Sequence, residues 1–218
     1  FDDNFHLGLN WYRSLFPTKF IRKKIESEYK KFLTYDVTPF YIYNPLVVDR
    51  IFKFSPNAKI IAALRNPIDR AYSNYNNRMQ DEGDTKTTFE EIVYSEIEKI
   101  ENNENNQENN AFLVDEFYEL LLARGFYAKQ LEFWFKKFPR KNILLISSEE
   151  LATNTDKTIS EIFEFLEVPI QKISDLTKQN EIKYPKMKDS TREILINFFK
   201  PYNEKLYSLI NQHFDWDK

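Results

Sequence analysis

Two short apolar runs punctuate a chain that otherwise alternates apolar and charged positions at helical spacing. The first, Ile60 to Leu64, ends at Arg65-Asn66-Pro67 and reads as a buried strand over 57–64, because Pro67 cannot donate to a ladder. The second, over 142–147, reads as another buried strand. Around them the pattern predicts helices. Leu46, Val47, Ile51 and Phe54 share a face over 44–54, and Ala71, Tyr72 and Tyr75 recur over 69–78, with Asp69 as the expected cap. Ile92, Val93, Ile97 and Ile100 line one face over 89–100, and a long amphipathic stretch covers 112–138, where Gly125 marks a break or a close contact. Further helices are predicted over 155–166, closed by Val168-Pro169, and over 190–214, where Pro201 should interrupt or restart the helix.

The flanks are less regular. A short aromatic helix is expected around 8–16, stopped by Pro17, with Trp11, Tyr12 and Phe16 packed into the core. Residues 18–33 read as a surface helix or an irregular connection, and 35–38 as a short strand or strand end. The segment ENNENNQENN at 101–110 lacks apolar anchors and is expected to be a mobile surface loop. Strands alternating with amphipathic helices predict an α/β fold, a parallel central sheet flanked by helices. No internal repeat or domain-boundary linker interrupts the chain, so a single domain over 1–218 is expected.

Composition narrows the chemistry. A chain of 218 residues can bury one sizeable core, and 20 Phe with 13 Tyr make aromatic burial its main driving force. With no cysteine, disulfides, thiolate metal sites and a thiol nucleophile are excluded. The two histidines, His6 and His213, are far apart in sequence, so no metal is expected. A net charge of −3 argues against general nucleic-acid binding, and no apolar run reaches membrane length.

The strand–turn–helix over 59–75, KIIAALRNPIDRAYSNY, is the strongest candidate for chemistry. Amides at a helix start point outward and the helix dipole favours an anion there. Arg65 at the strand end offers a planar fork of donors, and Ser73, eight residues on, a hydroxyl; the two could share one phosphate. The competing reading is an ordinary junction in which Arg65 pairs with Asp69.

This segment resembles the 3′-phosphate-binding motif of sulfotransferases that use 3′-phosphoadenosine-5′-phosphosulfate (PAPS), and is most similar to the carbohydrate branch, the heparan-sulfate-type enzymes and their bacterial relatives. Four further stretches resemble the same family in order and spacing: FDDNFHLGLNWYRSLFP at 1–17, TPFYIYNP at 38–45, RGFYAKQLEFWFKKFPRKNILLISSEEL at 124–151, and YPKM at 184–187 followed by TREILINFFKPYNEKLYSLI. The resemblance implies a sulfotransferase fold related to the P-loop kinases, PAPS as co-substrate with no metal, and transfer of a sulfuryl group to a hydroxyl or amine, most naturally on a carbohydrate.

Residue by residue, it implies that Arg65 and Ser73 hold the 3′-phosphate and that Lys183 and Tyr184 close over the nucleotide. Asp2 and Asp36 fall on the acceptor side, with Asp2 the nearer to the hydroxyl. Val37 stands where many relatives carry a basic residue, and Glu181-Ile182 where they carry a glycine. Lys178, Lys186 and Lys188 extend the basic character. The family's Lys-x-Gly-Thr loop, its strand and helix, and a glutamate that is commonly the base would fall upstream of Phe1, so an N-terminally incomplete domain is expected. None of Gly8, Gly83 and Gly125 sits in such a loop. Two alternatives stay open, a P-loop kinase-like nucleotide enzyme and a non-catalytic nucleotide-binding relative. Loops 18–34 and 79–112 are the expected seat of acceptor choice. A cytoplasmic location is expected from the composition; the Golgi lumen, with an upstream anchor, is the alternative.

Overall fold

The computed structural model describes residues 1–82, 87–105, 120–173 and 184–216. At its centre two parallel strands, β1 (Ile60–Leu64) and β2 (Ile143–Ser147), pair in a register that sets Ile60 against Ile143 and Leu64 against Ser147. Parallel pairing needs a long crossover, and it runs through α4 (Pro67–Glu82), α5 (Phe89–Asn105) and α6 (Tyr127–Lys137). Before β1 come α1 (Gly8–Ser14), α2 (Lys19–Tyr29) and α3 (Pro45–Phe54). After β2 come α7 (Ser148–Thr153), α8 (Thr155–Leu166) and α9 (Asp189–Ile210). This is the parallel sheet flanked by helices that the alternation predicted. Among the described residues one face of β1 stays open, with Ile61 38% exposed.

The helix ends follow local chemistry. Thr18 caps α2, Asn44 caps α3 ahead of Pro45, and Ser147 caps α7 by accepting from the amides of Glu149 and Glu150. The end of α8 is held by two cations. Lys31 donates to the carbonyls of Leu166 and Glu167, 2.7 Å each, and Lys59 to the carbonyl of Phe165 and, at 2.7 Å, to Glu167 Oε1. Both offset the negative end of the helix dipole.

The core has two parts. One joins Val48 of α3, Leu64, Ile143 and Leu145 of the strands, Leu131, Trp134 and Phe138, and Leu206, Phe214 and Trp216. The other lies beneath α4 and joins Ile68, Ala71, Phe89, Val93, Ile100, Leu122, Phe126, Leu195 and Phe199. As the composition suggested, both are rich in aromatic side chains.

Several expectations are corrected. No strand forms over 35–38; that stretch is a loop tied through the Asp36 side chain, with no neighbouring ladder to join among the described residues. Helix α4 starts at Pro67, and its cap is Asn66, whose Oδ1 accepts from Ile68 N at 2.9 Å, rather than Asp69. Pro201 neither breaks nor restarts α9, because Leu195, Phe199, Leu206 and Ile210 pack continuously on both sides of it, outweighing one missing backbone donor. The aromatic N-terminal segment forms a satellite rather than joining the main core. Tyr12 packs edge-on against Phe1 (4.5 Å) and Phe54 (5.4 Å), while Trp11 is 37% exposed. Helix α5 runs on through Asn105, so 101–105 is helical, and 106–110 lies outside the described residues.

Gly125 ends a 3-10 turn (Ala123–Gly125) just before α6, which is the break expected there. A Cβ at this position would lie 2.7 Å from Pro67 Cβ and 2.8 Å from Phe199 Cε1. Gly125→Ala should therefore destabilise the fold by about 1–3 kcal/mol through overpacking, seen as a lower urea midpoint with an unchanged m-value. An unchanged midpoint would mean that the Pro67 turn and Phe199 can yield.

Candidate functional site

Because β1 and β2 are parallel and Leu64 is level with Ser147, the segments leaving both strands emerge side by side. Ligands of open α/β sheets bind at this edge. Here a single peptide bond is gripped at both ends. The Arg65 carbonyl accepts from the Tyr127 hydroxyl at 2.9 Å, and the Asn66 amide donates to Glu149 Oε1 at 2.7 Å. Glu149 Oε2 also accepts from Ser147 Oγ at 2.7 Å and from the Trp216 indole at 3.4 Å. Burial opposes ionisation of Glu149 most strongly, yet the Asn66 amide and these other donors outweigh it and hold its carboxyl below the ordinary value. Asn66 Nδ2 donates to the Trp216 carbonyl at 3.3 Å, closing the ring of contacts.

Arg65 itself is half-buried, and among the described residues its guanidinium has no hydrogen bond or ion pair. The pairing with Asp69 does not form, since Asp69 is bound by Arg192 of α9. Ser73 lies one helical turn beyond Asp69 on α4 and is also half-buried, with no hydrogen bond from its hydroxyl among the described residues. The 184–188 segment docks beside it. The Tyr184 ring meets Tyr72 edge-on at 5.4 Å, Tyr72 donates to the Pro185 carbonyl at 2.9 Å, and Met187 is buried under α4. Sequence positions 72 and 184 thus meet, bringing Tyr184 to the helix that carries Ser73. Lys183 and Lys178 lie outside the described residues. Lys186 and Lys188 are engaged with Asp189 (2.7 Å) and Glu90 (3.4 Å).

Asp2 and Asp36 come together around the aromatic N-terminal layer. Arg50 of α3 donates to the Phe1 carbonyl at 2.6 Å, fixing the main chain beside Asp2, and its guanidinium lies 4.1 Å over the Phe5 ring. Asp36 accepts from Tyr12 (3.0 Å), Tyr41 (2.9 Å) and Thr38 (3.1 Å). Both tyrosines are pushed up by burial first, and the Asp36 carboxylate adds to it. Asp2 also acts on Tyr41, so the two carboxylates share one neighbour.

Tyr43 links this layer to α4. Burial raises its hydroxyl, the charges of Arg124, Arg70 and Arg78 oppose that rise, and Asp2 adds to it. The Arg124 guanidinium stands 5.3 Å over both the Phe40 and Tyr43 rings. The Asp2 carboxylate and the basic face of α4 therefore act on the same ring.

Asn66, Tyr127, Glu149 and Trp216 are supporting residues that sequence reasoning did not single out. Asn66 had a legible signal, an Asn directly before a helix-initiating Pro. The other three carried none, since their roles depend on side chains from distant segments meeting one peptide.

Comparison with known proteins places the chain as a whole. The chain is 26% identical to the membrane-associated sulfotransferase kil1 of Dictyostelium discoideum, covering 99% of this chain and 59% of that protein. It is 25% identical to heparan sulfate glucosamine 3-O-sulfotransferase 3A1 of Mus musculus, covering 100% of this chain and 56% of that protein. Among solved structures, a sulfotransferase from Alicyclobacillus acidocaldarius superposes with a TM-score of 0.64 at 28% identity, covering 82% of this chain and 65% of that one. The chain thus spans less than two thirds of the length of each of these relatives. The model of the sulfotransferase domain matches residues 9–205, nearly the whole chain, and on that match the chain belongs to the sulfotransferase domain family.

Proposed function

We propose that this chain binds PAPS through Arg65, Ser73 and Tyr184, together with Lys183, and serves transfer of the sulfuryl group to a hydroxyl or amine of a carbohydrate. The observation that carries the reading is Arg65. It stands at a strand end, on a peptide held at both ends, beside a helix start, and Asp69 is taken by Arg192, so no described carboxylate neutralises it. A half-buried guanidinium with no ion-pair partner among the described residues, at a helix N-terminus, suits a phosphate dianion. Ser73 adds a donor on the same helix, and Tyr184, placed by Tyr72, offers a ring to the nucleotide.

When bound, PAPS supplies the activated sulfuryl group on a 5′-phosphate leaving group. The chain's own residues would hold the far end of the nucleotide, so that the reacting end is presented in one orientation. On the acceptor side Asp2 is the candidate to place or deprotonate the hydroxyl, since its charge already acts on Tyr41 and Tyr43. Asp36, accepting from three hydroxyls, would organise that wall. The name of the heparan sulfate relative motivates the carbohydrate acceptor.

Calorimetric titration with adenosine 3′,5′-bisphosphate, and with adenosine 5′-phosphate as control, tests the reading. Micromolar binding that requires the 3′-phosphate is expected, followed by PAPS-dependent sulfation in a carbohydrate panel. Equal affinity for the two nucleotides would overturn the assignment.

A further inference from the structure

We infer that Glu149 and Tyr127 are positioning residues for the 3′-phosphate site, acting through the Arg65–Asn66 peptide. The inference rests on the proposed role of Arg65. A peptide plane has one donor and one acceptor, and here α7 binds the donor and α6 the acceptor, at 2.7 and 2.9 Å. Fixing both ends fixes the plane, and with it ψ of Arg65 and φ of Asn66. Those angles set where the Arg65 side chain departs and where α4 begins, because Asn66 is also the cap of α4.

The grip is built to be rigid. Glu149 is itself clamped by Ser147 Oγ and lies within reach of the Trp216 indole, and Ser147 is the last residue of β2 and cap of α7. The Tyr127 side chain is buried in the main core, the cluster that holds Leu64 and Leu131, with its ring 5.8 Å from that of Trp216. Neither group is hydrogen-bonded to the guanidinium among the described residues; the Arg65 charge does act on the Tyr127 hydroxyl, but the contact both groups make directly is with the peptide. A planar fork recognises a phosphate only when its orientation is right, so rotation of the peptide should cost the Arg65 contact and little else.

The test compares Glu149→Ala, which leaves the Asn66 amide without its acceptor, and Tyr127→Phe with the unsubstituted protein in titrations with adenosine 3′,5′-bisphosphate and adenosine 5′-phosphate, with thermal melting in parallel. Each variant should lose about tenfold in affinity for the bisphosphate and almost nothing for the monophosphate. In an Arg65→Ala background the same substitutions should have no further effect, since nothing is left to position. Equal loss for both nucleotides, or an undiminished effect without Arg65, would reduce Glu149 and Tyr127 to general supports and overturn the inference. If the unsubstituted protein showed no preference for the 3′-phosphate, the proposed function would fall first, a distinguishable result. Should Glu149→Ala fail to fold, Tyr127→Phe, which removes only one oxygen, carries the same comparison.

Discussion

Arg65→Ala should weaken adenosine 3′,5′-bisphosphate binding by about 2–3 kcal/mol, roughly 30- to 150-fold, and leave adenosine 5′-phosphate binding almost unchanged. The size follows from the setting. A charge-assisted contact at a half-buried site is worth more than a surface pair, and no described acidic partner competes for the guanidinium. The same isolation predicts little effect on stability, because no described side chain loses a partner. Arg65→Lys should recover only part of the affinity, since a single ammonium cannot reproduce a bidentate fork. Calorimetry on the three proteins decides the matter. A parallel loss for both nucleotides would assign Arg65 a structural role, and no loss would remove it from the site.

The largest effect on stability is expected at Glu96. Its carboxylate is buried and accepts from the amides of Leu121 and Leu122 at 2.8 Å each, while the positive charges of Lys99 and Arg70 lie close enough to act on it. Arg70 donates to the Leu121 carbonyl, and its Nε is buried without a partner among the described residues. Glu96→Ala would strand two buried amides and remove the counter-charge, a loss of about 3–5 kcal/mol in chemical denaturation. Glu96→Gln, keeping one acceptor and the shape, should lose less.

The pH dependence of this pair has a definite sign. Burial raises the Glu96 carboxyl above its unfolded value of 4.5, against the two amides, which lower it. The native state therefore binds the proton more tightly than the unfolded chain. The stability this group contributes is full below pH 4.5 and declines as pH rises through the folded value. Glu96→Gln should remove that decline. A Glu96→Ala variant as stable as the parent at neutral pH would show that the 121–122 segment is held by packing alone.

Much of this protein is legible in its sequence, and the reasons are local. The apolar runs before Arg65 and Ser148 are strands because short aliphatic runs bounded by turn residues have few other uses. The helix over 155–166 was bounded correctly because its apolar period and the Val168-Pro169 stop agree. The phosphate-binding candidates Arg65 and Ser73 were readable because a strand end, a proline and a helix start lie within a few residues of one another. The misreadings came where a distant contact overrode a local preference. Asp69 looked like a cap or a partner for Arg65, but Arg192, far along the chain, takes it. Pro201 looked like a break, but a continuous apolar stripe on α9 holds the helix together. An aromatic run looked like core in the N-terminal segment, yet Trp11 lies at the surface.

What only the tertiary structure decided is which residues hold the site. Hydrophobic periodicity is a property of neighbours three or four apart, so one sequence can report it. The grip of Tyr127 and Glu149 on the Arg65–Asn66 peptide is a property of the strand register, which sets Leu64 beside Ser147. Register is chosen by the summed packing of the whole sheet and its helices, and no local stretch of the chain encodes that sum.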